Sequence, residues 1–383
     1  MKRMGAMCLV ICLLWVLAVP VSAAPADIAG KSAVLMDIAT GTVLYAKNAH
    51  EPLAPASVTK VMTMLLIMEA IDSGKIRWDD TVTASEEAAA KGGSQIYLKA
   101  GEMMSVTDMV KSIAVSSAND CACAMAEHIA GSEAAFVELM NRKAAQLGMA
   151  NTHFVNCTGL DDGEDGKKHL TSAYDIALMS VELLKNHPDI TKFTTIWMDT
   201  VRGGTFGLAN TNKLVRFYPG ATGLKTGFTS GAGYCLSASA QREGLELVAV
   251  VMGCESSKER FAACKQLLDY GFANFALVKP QLAEESFVPV QLGTRESVQV
   301  VPAKETKMLI DKSQQSTVTT RVELDASVAA PVSKGQRLGT LTLYAGEQVL
   351  AQVSMVAAEA VPRLTFGQIL WQVLQGLAMG GGI

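Results

Sequence analysis

Three short constellations in this chain could together perform nucleophilic chemistry. Ser57 and Lys60 form Ser-x-x-Lys, Ser117 and Asn119 form Ser-x-Asn, and Lys225-Thr226-Gly227 follows far downstream. A serine hydroxyl needs a base to become a nucleophile, and an amine three residues on shares its face of a helix. That amine works only once it has lost its proton. Lys60 must therefore be desolvated, or set beside another cation, to fall from a reference pKa of ~10.4. Lys225, brought close by folding, would supply that cation. Backbone N–H groups at a helix start would favour the negative charge that develops as Ser57 attacks. The Ser117 hydroxyl can pass a proton between Lys60 and a leaving group, and the Asn119 amide can hold a substrate carbonyl and Lys60. Lys225 and Thr226 offer an ammonium and a hydroxyl to a carboxylate, and Gly227 lets another backbone come close.

Each fragment also has a plainer reading. Ser57 could be an N-cap with Lys60 at the surface, Asn119 could cap the helix after it, and Lys225-Thr226 could belong to an ordinary edge strand. In 383 residues the first two patterns arise about once each by chance, so their shared order matters more than any one of them.

The elements that must position these residues follow from periodicity. Ser32 to Lys47 reads as a hairpin turning at Ala39-Thr40-Gly41. Val58 to Ala70 is apolar on every side except for Thr59, Lys60, Thr63 and Glu69, which predicts a helix through the middle of a domain. Further helices are expected at Ser105 to Ala114, Asp120 to Ala130, Ser132 to Leu147 with Gly148 as its stop, and Ser172 to Lys185. The last opens on a capping box, Ser172-Ala-Tyr-Asp175. Ser117-Ala118-Asn119 then falls at a break between two helices, where a loop can project side chains into a cleft. Beyond Gly223, Tyr234 to Gln241 and Leu245 to Met252 form a hairpin across Arg242-Glu243-Gly244, and a helix follows from Ser257 to Tyr270. Helices around a mostly antiparallel sheet make an α+β domain over residues 24–280.

From 281 to 361 helical periodicity gives way to short alternating runs. Ser297 to Val301, Thr317 to Leu324, Leu338 to Tyr344 and Gln348 to Val356 predict a small all-β domain, with no chemistry of its own visible. Residues 362–383 read as an amphipathic helix in which Phe366, Ile369, Leu370, Val373, Leu374 and Leu377 share one face. That face could lie in a membrane interface with Trp371 near the boundary, or pack on protein. Arg363 is its single cation, where interfacial helices usually carry several.

Composition narrows the setting. Lys2 and Arg3 precede an apolar run from Met7 to Val19, Pro20 breaks it, and small residues from Val21 to Ala24 offer a peptidase site. Residues 1–23 are thus expected to be a signal peptide, too short to read first as a membrane span. The protein should work outside the cytoplasmic membrane. Of the 8 cysteines, Cys8 and Cys12 would leave with the signal. Cys121, Cys123, Cys157, Cys235, Cys254 and Cys264 read as small buried hydrophobes in a chain too large to depend on disulfides. A metal site at Cys121, Cys123 and His128 is the sharper alternative, but no paired ligand spacing supports it, and neither metal nor cofactor is expected. A net charge of −4 and a pI near 5.8 leave no footprint for nucleic acid.

The three constellations resemble those of the low-molecular-mass penicillin-binding proteins, serine-type D-alanyl-D-alanine carboxypeptidases. The likeness extends to Pro55-Ala56-Ser57-Val58-Thr59-Lys60, Asn156-Cys-Thr-Gly-Leu-Asp161 and Gly223-Leu-Lys-Thr-Gly-Phe-Thr229, and to the signal, the β domain and the tail. It implies a penicillin-binding/β-lactamase-like fold and removal of the terminal D-alanine from peptidoglycan stem peptides, with β-lactams as acylating inhibitors. Ser57 would attack the carbonyl between the two D-alanines, Lys60 would take its proton, and Ser117 with Asn119 would complete the relay. The N–H groups of Ser57 and Phe228 would hold the oxyanion. Lys225 and Thr226 would face the terminal carboxylate, and Arg260 resembles the family's second cation for it. Two features depart from common patterns: Phe228 stands where some relatives carry His, and the middle motif is Ser-Ala-Asn.

Other readings compete with this one. A β-lactamase or esterase on the same fold would deacylate faster, yet Ala150 to Ser172 contains no recognisable counterpart of the Glu used by class A β-lactamases. A non-catalytic peptidoglycan-binding protein would have no use for a base beside the hydroxyl. None of His50, His128, His153, His169 and His187 sits in a recognisable Ser-His-Asp motif.

Overall fold

The computed structural model describes residues 25, 27–161, 168–280, 285–304 and 307–378, so the expected signal segment lies outside them. The hairpin read from Ser32 to Lys47 forms as β1 (Ser32–Asp37) and β2 (Val43–Lys47). Three long strands come much later: β3 (Ala221–Thr229), β4 (Gly233–Arg242) and β5 (Leu245–Cys254). All five join in one antiparallel sheet of order β2-β1-β5-β4-β3. The β1–β5 pairing, from Ser32 opposite Met252 to Asp37 opposite Leu247, closes the domain across its whole length. β3 is left at an edge, with one row of backbone groups free of sheet partners.

Both faces of this sheet are covered. On one, α1 (Lys60–Asp72), α2 (Val106–Ser116), α3 (Asn119–Ala130), α4 (Glu133–Gln146) and α5 (Ala173–Asn186) build the larger core with Leu224, Cys235, Val248 and Val250. On the other, α6 (Ser257–Asn274) lays Ala263, Cys264, Leu267 and Leu268 on Leu236, Ala238, Leu247 and Ala249. Serine caps fix where α2, α4, α5 and α6 begin. Ser105, Ser132, Ser172 and Ser256 accept the N–H groups of Asp108, Ala135, Asp175 and Glu259.

The central helix starts later than expected. Ala56–Thr59 forms a single 3-10 turn, and α1 begins only at Lys60. Residues i and i+3 eclipse in 3-10 geometry, which keeps Ser57 beneath Lys60. Every residue from Lys60 to Met68 is buried, as a helix lacking a polar face requires.

After α6 the chain enters the β domain through β6 (Phe275–Val278), which pairs with β9 (Met308–Asp311). The main sheet there contains β7 (Ser286–Gln291), β8 (Ser297–Pro302), β10 (Val318–Leu324), β11 (Val328–Ala329), β12 (Arg337–Ala345) and β13 (Gln348–Ala357). Its order is β10-β12-β13-β8-β7-β11, closed over a separate cluster that includes Val288, Val298, Leu341 and Met355. The tail forms α7 (Phe366–Ala378), with Phe366, Leu370, Trp371, Val373 and Leu374 exposed. No helix among the described residues is long and apolar enough to cross a membrane.

All six cysteines among the described residues are free thiols buried in the core. Cys123 turns towards Glu87 and Glu127, while Cys121, two positions away on α3, points to another side of the helix.

Candidate active site

The turn that carries Ser57 is held from behind. Ala56 adopts φ 48°, a conformation that a residue with a Cβ rarely takes. Its carbonyl accepts the Thr59 hydroxyl at 2.9 Å, and Thr59 Oγ1 lies 2.7 Å from His169 Nε2. His169 Nδ1 accepts the Val155 N–H at 3.1 Å, so Nε2 carries the proton and donates to Thr59. Burial holds the His169 pKa down at about 4, aided by the charges of His153 and Lys60, which keeps the ring neutral. No motif around His169 marks this place beforehand.

Lys60 Nζ stands 3.0 Å from Ser57 Oγ and 2.7 Å from the Thr158 carbonyl oxygen, with the whole side chain buried. Burial pushes the amine down to about 7, against an opposing pull from Cys157 and Asp120. At neutral pH such an amine is in large part unprotonated and can accept the Ser57 proton. The Thr158 carbonyl is presented by an Asx-type loop. Asn156 Oδ1 accepts the N–H groups of Thr158 at 3.1 Å and Gly159 at 2.7 Å, and its Nδ2 donates to the Leu160 carbonyl at 2.8 Å. Asn156 and Gly159 belong to the Asn156–Asp161 segment that carries part of the family likeness, but the loop they form is not evident from their spacing alone.

Ser117 ends α2 in the left-handed region, φ 65° and ψ 29°, and is almost fully buried. Asn119 opens α3 but does not cap it, since Ala118 holds that position. Its Nδ2 donates to the Gly92 carbonyl at 2.7 Å, and its buried Oδ1 has no partner among the described residues. No hydrogen bond among the described residues joins Ser117 or Asn119 to Ser57, Lys60 or Lys225. Asp120, which sequence reasoning passed over, is buried and accepts the Ile96 and Leu98 N–H groups, fixing the loop beside Asn119.

β3 brings the third constellation alongside. A Cβ on Gly227 would lie 2.6 Å from the Pro55 carbonyl oxygen and 3.1 Å from Ser57 N, so this strand rides directly against the nucleophile's turn. Lys225 is buried, with Nζ donating to the Thr226 carbonyl at 2.9 Å. Burial first, then the positive charges of Lys60 and Arg260, lowers its pKa well below the usual lysine range. Thr226 Oγ1 donates to Thr211 Oγ1 at 2.7 Å, and the Thr211 N–H donates to the Val115 carbonyl, which ties the strand to the end of α2 beside Ser117. Phe228 is 54% exposed and stacks on Tyr234 with ring centroids 4.3 Å apart. Arg260, in the first turn of α6, is buried, and its Nη1 donates to the carbonyls of Gly227 at 2.9 Å and Cys235 at 3.4 Å.

A hydroxyl beside a desolvated amine, facing an edge strand that carries a second amine, suits acyl transfer through a serine ester. Comparison with known proteins agrees with that chemistry. The model of the family described as D-alanyl-D-alanine carboxypeptidase matches residues 19–256, and that of the penicillin-binding protein 5 C-terminal domain matches residues 275–363. The D-alanyl-D-alanine carboxypeptidase DacF of Bacillus subtilis is 45% identical over 342 residues, covering 88% of this chain and 87% of its own. Among solved structures, penicillin-binding protein 5 of Haemophilus influenzae superposes with TM-score 0.73 at 34% identity, covering 89% of this chain and 99% of that one. Penicillin-binding protein D2 of Listeria monocytogenes, with ampicillin bound, gives 0.57 at 30% identity, covering 65% of this chain and 100% of that one. With a match of this extent running through both domains, the chain belongs to the D-alanyl-D-alanine carboxypeptidase family.

Proposed function

We propose that this protein removes the terminal D-alanine from peptidoglycan stem pentapeptides through an acyl-enzyme on Ser57. One observation carries the reading: a fully buried amine, its pKa brought down to about 7, lies 3.0 Å from the Ser57 hydroxyl. Unprotonated Lys60 accepts the Ser57 proton as Oγ bonds to the carbonyl carbon of the penultimate D-alanine. The N–H groups of Ser57 and Phe228 hold the resulting oxyanion. When the C–N bond breaks, the proton passes from Lys60 to the departing amine through Ser117, while Asn119 holds the acyl side of the substrate. Lys225 and Thr226 meet the terminal carboxylate. Water then attacks the ester and frees Ser57. A β-lactam enters the same first step, and no cofactor or metal takes part.

The enzyme works on the outer face of the cytoplasmic membrane. The residue 1–23 segment supports export, and the exposed apolar side chains of α7 support a peripheral hold on the bilayer interface.

Labelled penicillin tests the assignment. A mass-mapped adduct on Ser57, together with D-alanine release from a peptide ending in D-Ala-D-Ala, is the expected result. An adduct that persists in Ser57→Ala would move the nucleophile elsewhere, and rapid turnover of the penicillin would make the protein a β-lactamase.

A further inference from the structure

Arg260 resembles a cation for the substrate's carboxylate, and within the protein it already has partners of its own. Its guanidinium sits over the rings of Tyr234 at 5.3 Å and Phe261 at 4.9 Å, and its Nε is buried without a partner among the described residues. Side chains alternate along a strand, so Phe228 and its cross-strand partner Tyr234 share one face of the sheet, and Gly227 turns its Cα to the other. That other face is the one against Pro55 and Ser57. The strand itself therefore stands between Arg260 and the nucleophile.

What Arg260 touches is the backbone. Nη1 bridges the carbonyl oxygens of Gly227 and Cys235, which are opposite one another in the β3–β4 ladder. Both carbonyls lie within reach of a single nitrogen only if they point inward, between the strands, as in a hydrogen-bonded antiparallel pair. In a trans peptide the next N–H points the opposite way, so the Phe228 N–H is directed off the free edge of the sheet.

We infer that Arg260 is a positioning residue for the oxyanion site: by gripping the Gly227 carbonyl it fixes and polarises the peptide unit whose N–H, on Phe228, meets the developing oxyanion. This rests on the proposed role of the Phe228 N–H. A cation on the carbonyl draws electron density through the amide and makes the N–H a stronger donor. A carboxylate-binding role and a positioning role predict different dependences on the substrate's own charge.

The test compares acylation by two substrates with the same acyl group, a peptide ending in D-Ala-D-Ala and an ester whose leaving alcohol bears no carboxylate. Arg260→Gln is expected to slow acylation of both by about 10- to 100-fold with KM little changed, since a misdirected donor costs somewhat less than a deleted one. The ester carbonyl stretch of the acyl-enzyme should also rise towards its value in the unfolded adduct. Arg260→Lys, which keeps a donor but can reach only one carbonyl, should recover part of the rate. It also carries the test if Arg260→Gln does not fold. A loss confined to the carboxylate substrate, seen in KM with the carbonyl band unmoved, would overturn the inference and make Arg260 a carboxylate ligand. A wild-type acyl-enzyme whose carbonyl band matches that of the unfolded adduct would instead remove the oxyanion site itself, and the inference with it.

Discussion

A Cβ on Gly159 would stand 1.9 Å from the carbonyl oxygen of Ala56. The loop that supplies the Thr158 carbonyl to Lys60 and the turn that carries Ser57 are thus pressed together at one point where no side chain fits. Gly159 also has φ 84°, which costs an alanine further strain. Gly159→Ala should destabilise the domain by about 2–4 kcal/mol, combining overpacking with a left-handed alanine. It should slow penicillin acylation more than a surface glycine change such as Gly74→Ala, whose Cβ would meet nothing within 4 Å. Urea midpoints and acylation rates measured side by side check this, and equal midpoints for the two variants would mean the loops are not interlocked.

Acylation should depend on the proton at Lys60. Burial puts its pKa at about 7, and the base form is the one without the proton, so the rate rises with pH through that value. Below it, the acylation rate constant at saturating substrate should fall about tenfold per pH unit, and above it that constant should level off. Lys60→Arg cannot shed its proton and should lose at least the effect of a general base, about 100-fold or more. A profile flat from about pH 5 to 8 would assign the base to another group.

The second amine predicts a linkage. Lys225 is buried, and burial together with Lys60 and Arg260 lowers its pKa. A carboxylate arriving beside it favours the charged form, so binding should draw a proton from solvent and weaken as pH rises. Calorimetry of Ser57→Ala with a D-Ala-D-Ala peptide, in buffers of different ionisation enthalpy, measures that uptake. Lys225→Met should abolish it. No uptake in the parent would mean that Lys225 is already charged before substrate arrives.

The local signals were the legible ones. The Ser57-Lys60 pairing, the capping box at Ser172, the hairpins and the strand carrying Lys225 all rest on contacts close along the chain, and each appears within a few residues of where periodicity and spacing put it. The rest depends on separations that pattern does not encode. β1 pairs with β5 over more than two hundred residues, and His169 reaches Thr59 across 110. α1 starts only at Lys60, after a turn in which Ala56 has a positive φ and lies against the Gly159 loop, a tertiary setting that apolar periodicity does not register. Arg260 shows the same limit at the level of a single side chain. Its type is read from the sequence, while its place over Tyr234, beside the β3–β4 pairing, comes only with the fold.

α7 exposes Phe366, Leu370, Trp371, Val373 and Leu374, and Trp371 is 63% accessible. The chain before it is pinned to the β domain, where the Leu364 N–H donates to the Leu292 carbonyl, so the helix departs from a fixed point. With Arg363 as the only cation of residues 362–383, any membrane affinity of this segment would come from apolar burial rather than attraction to anionic lipid. Deleting residues 362–383 should move the protein from the membrane to the soluble fraction with acylation unchanged. Leu374→Asp, which sets a carboxylate in the apolar face, should do the same in the full chain. Binding of the parent to vesicles should vary little with salt or with the anionic lipid fraction. Retention of the truncated protein in the membrane fraction would show that this face packs on protein, and a steep salt dependence would shift the attachment to charge.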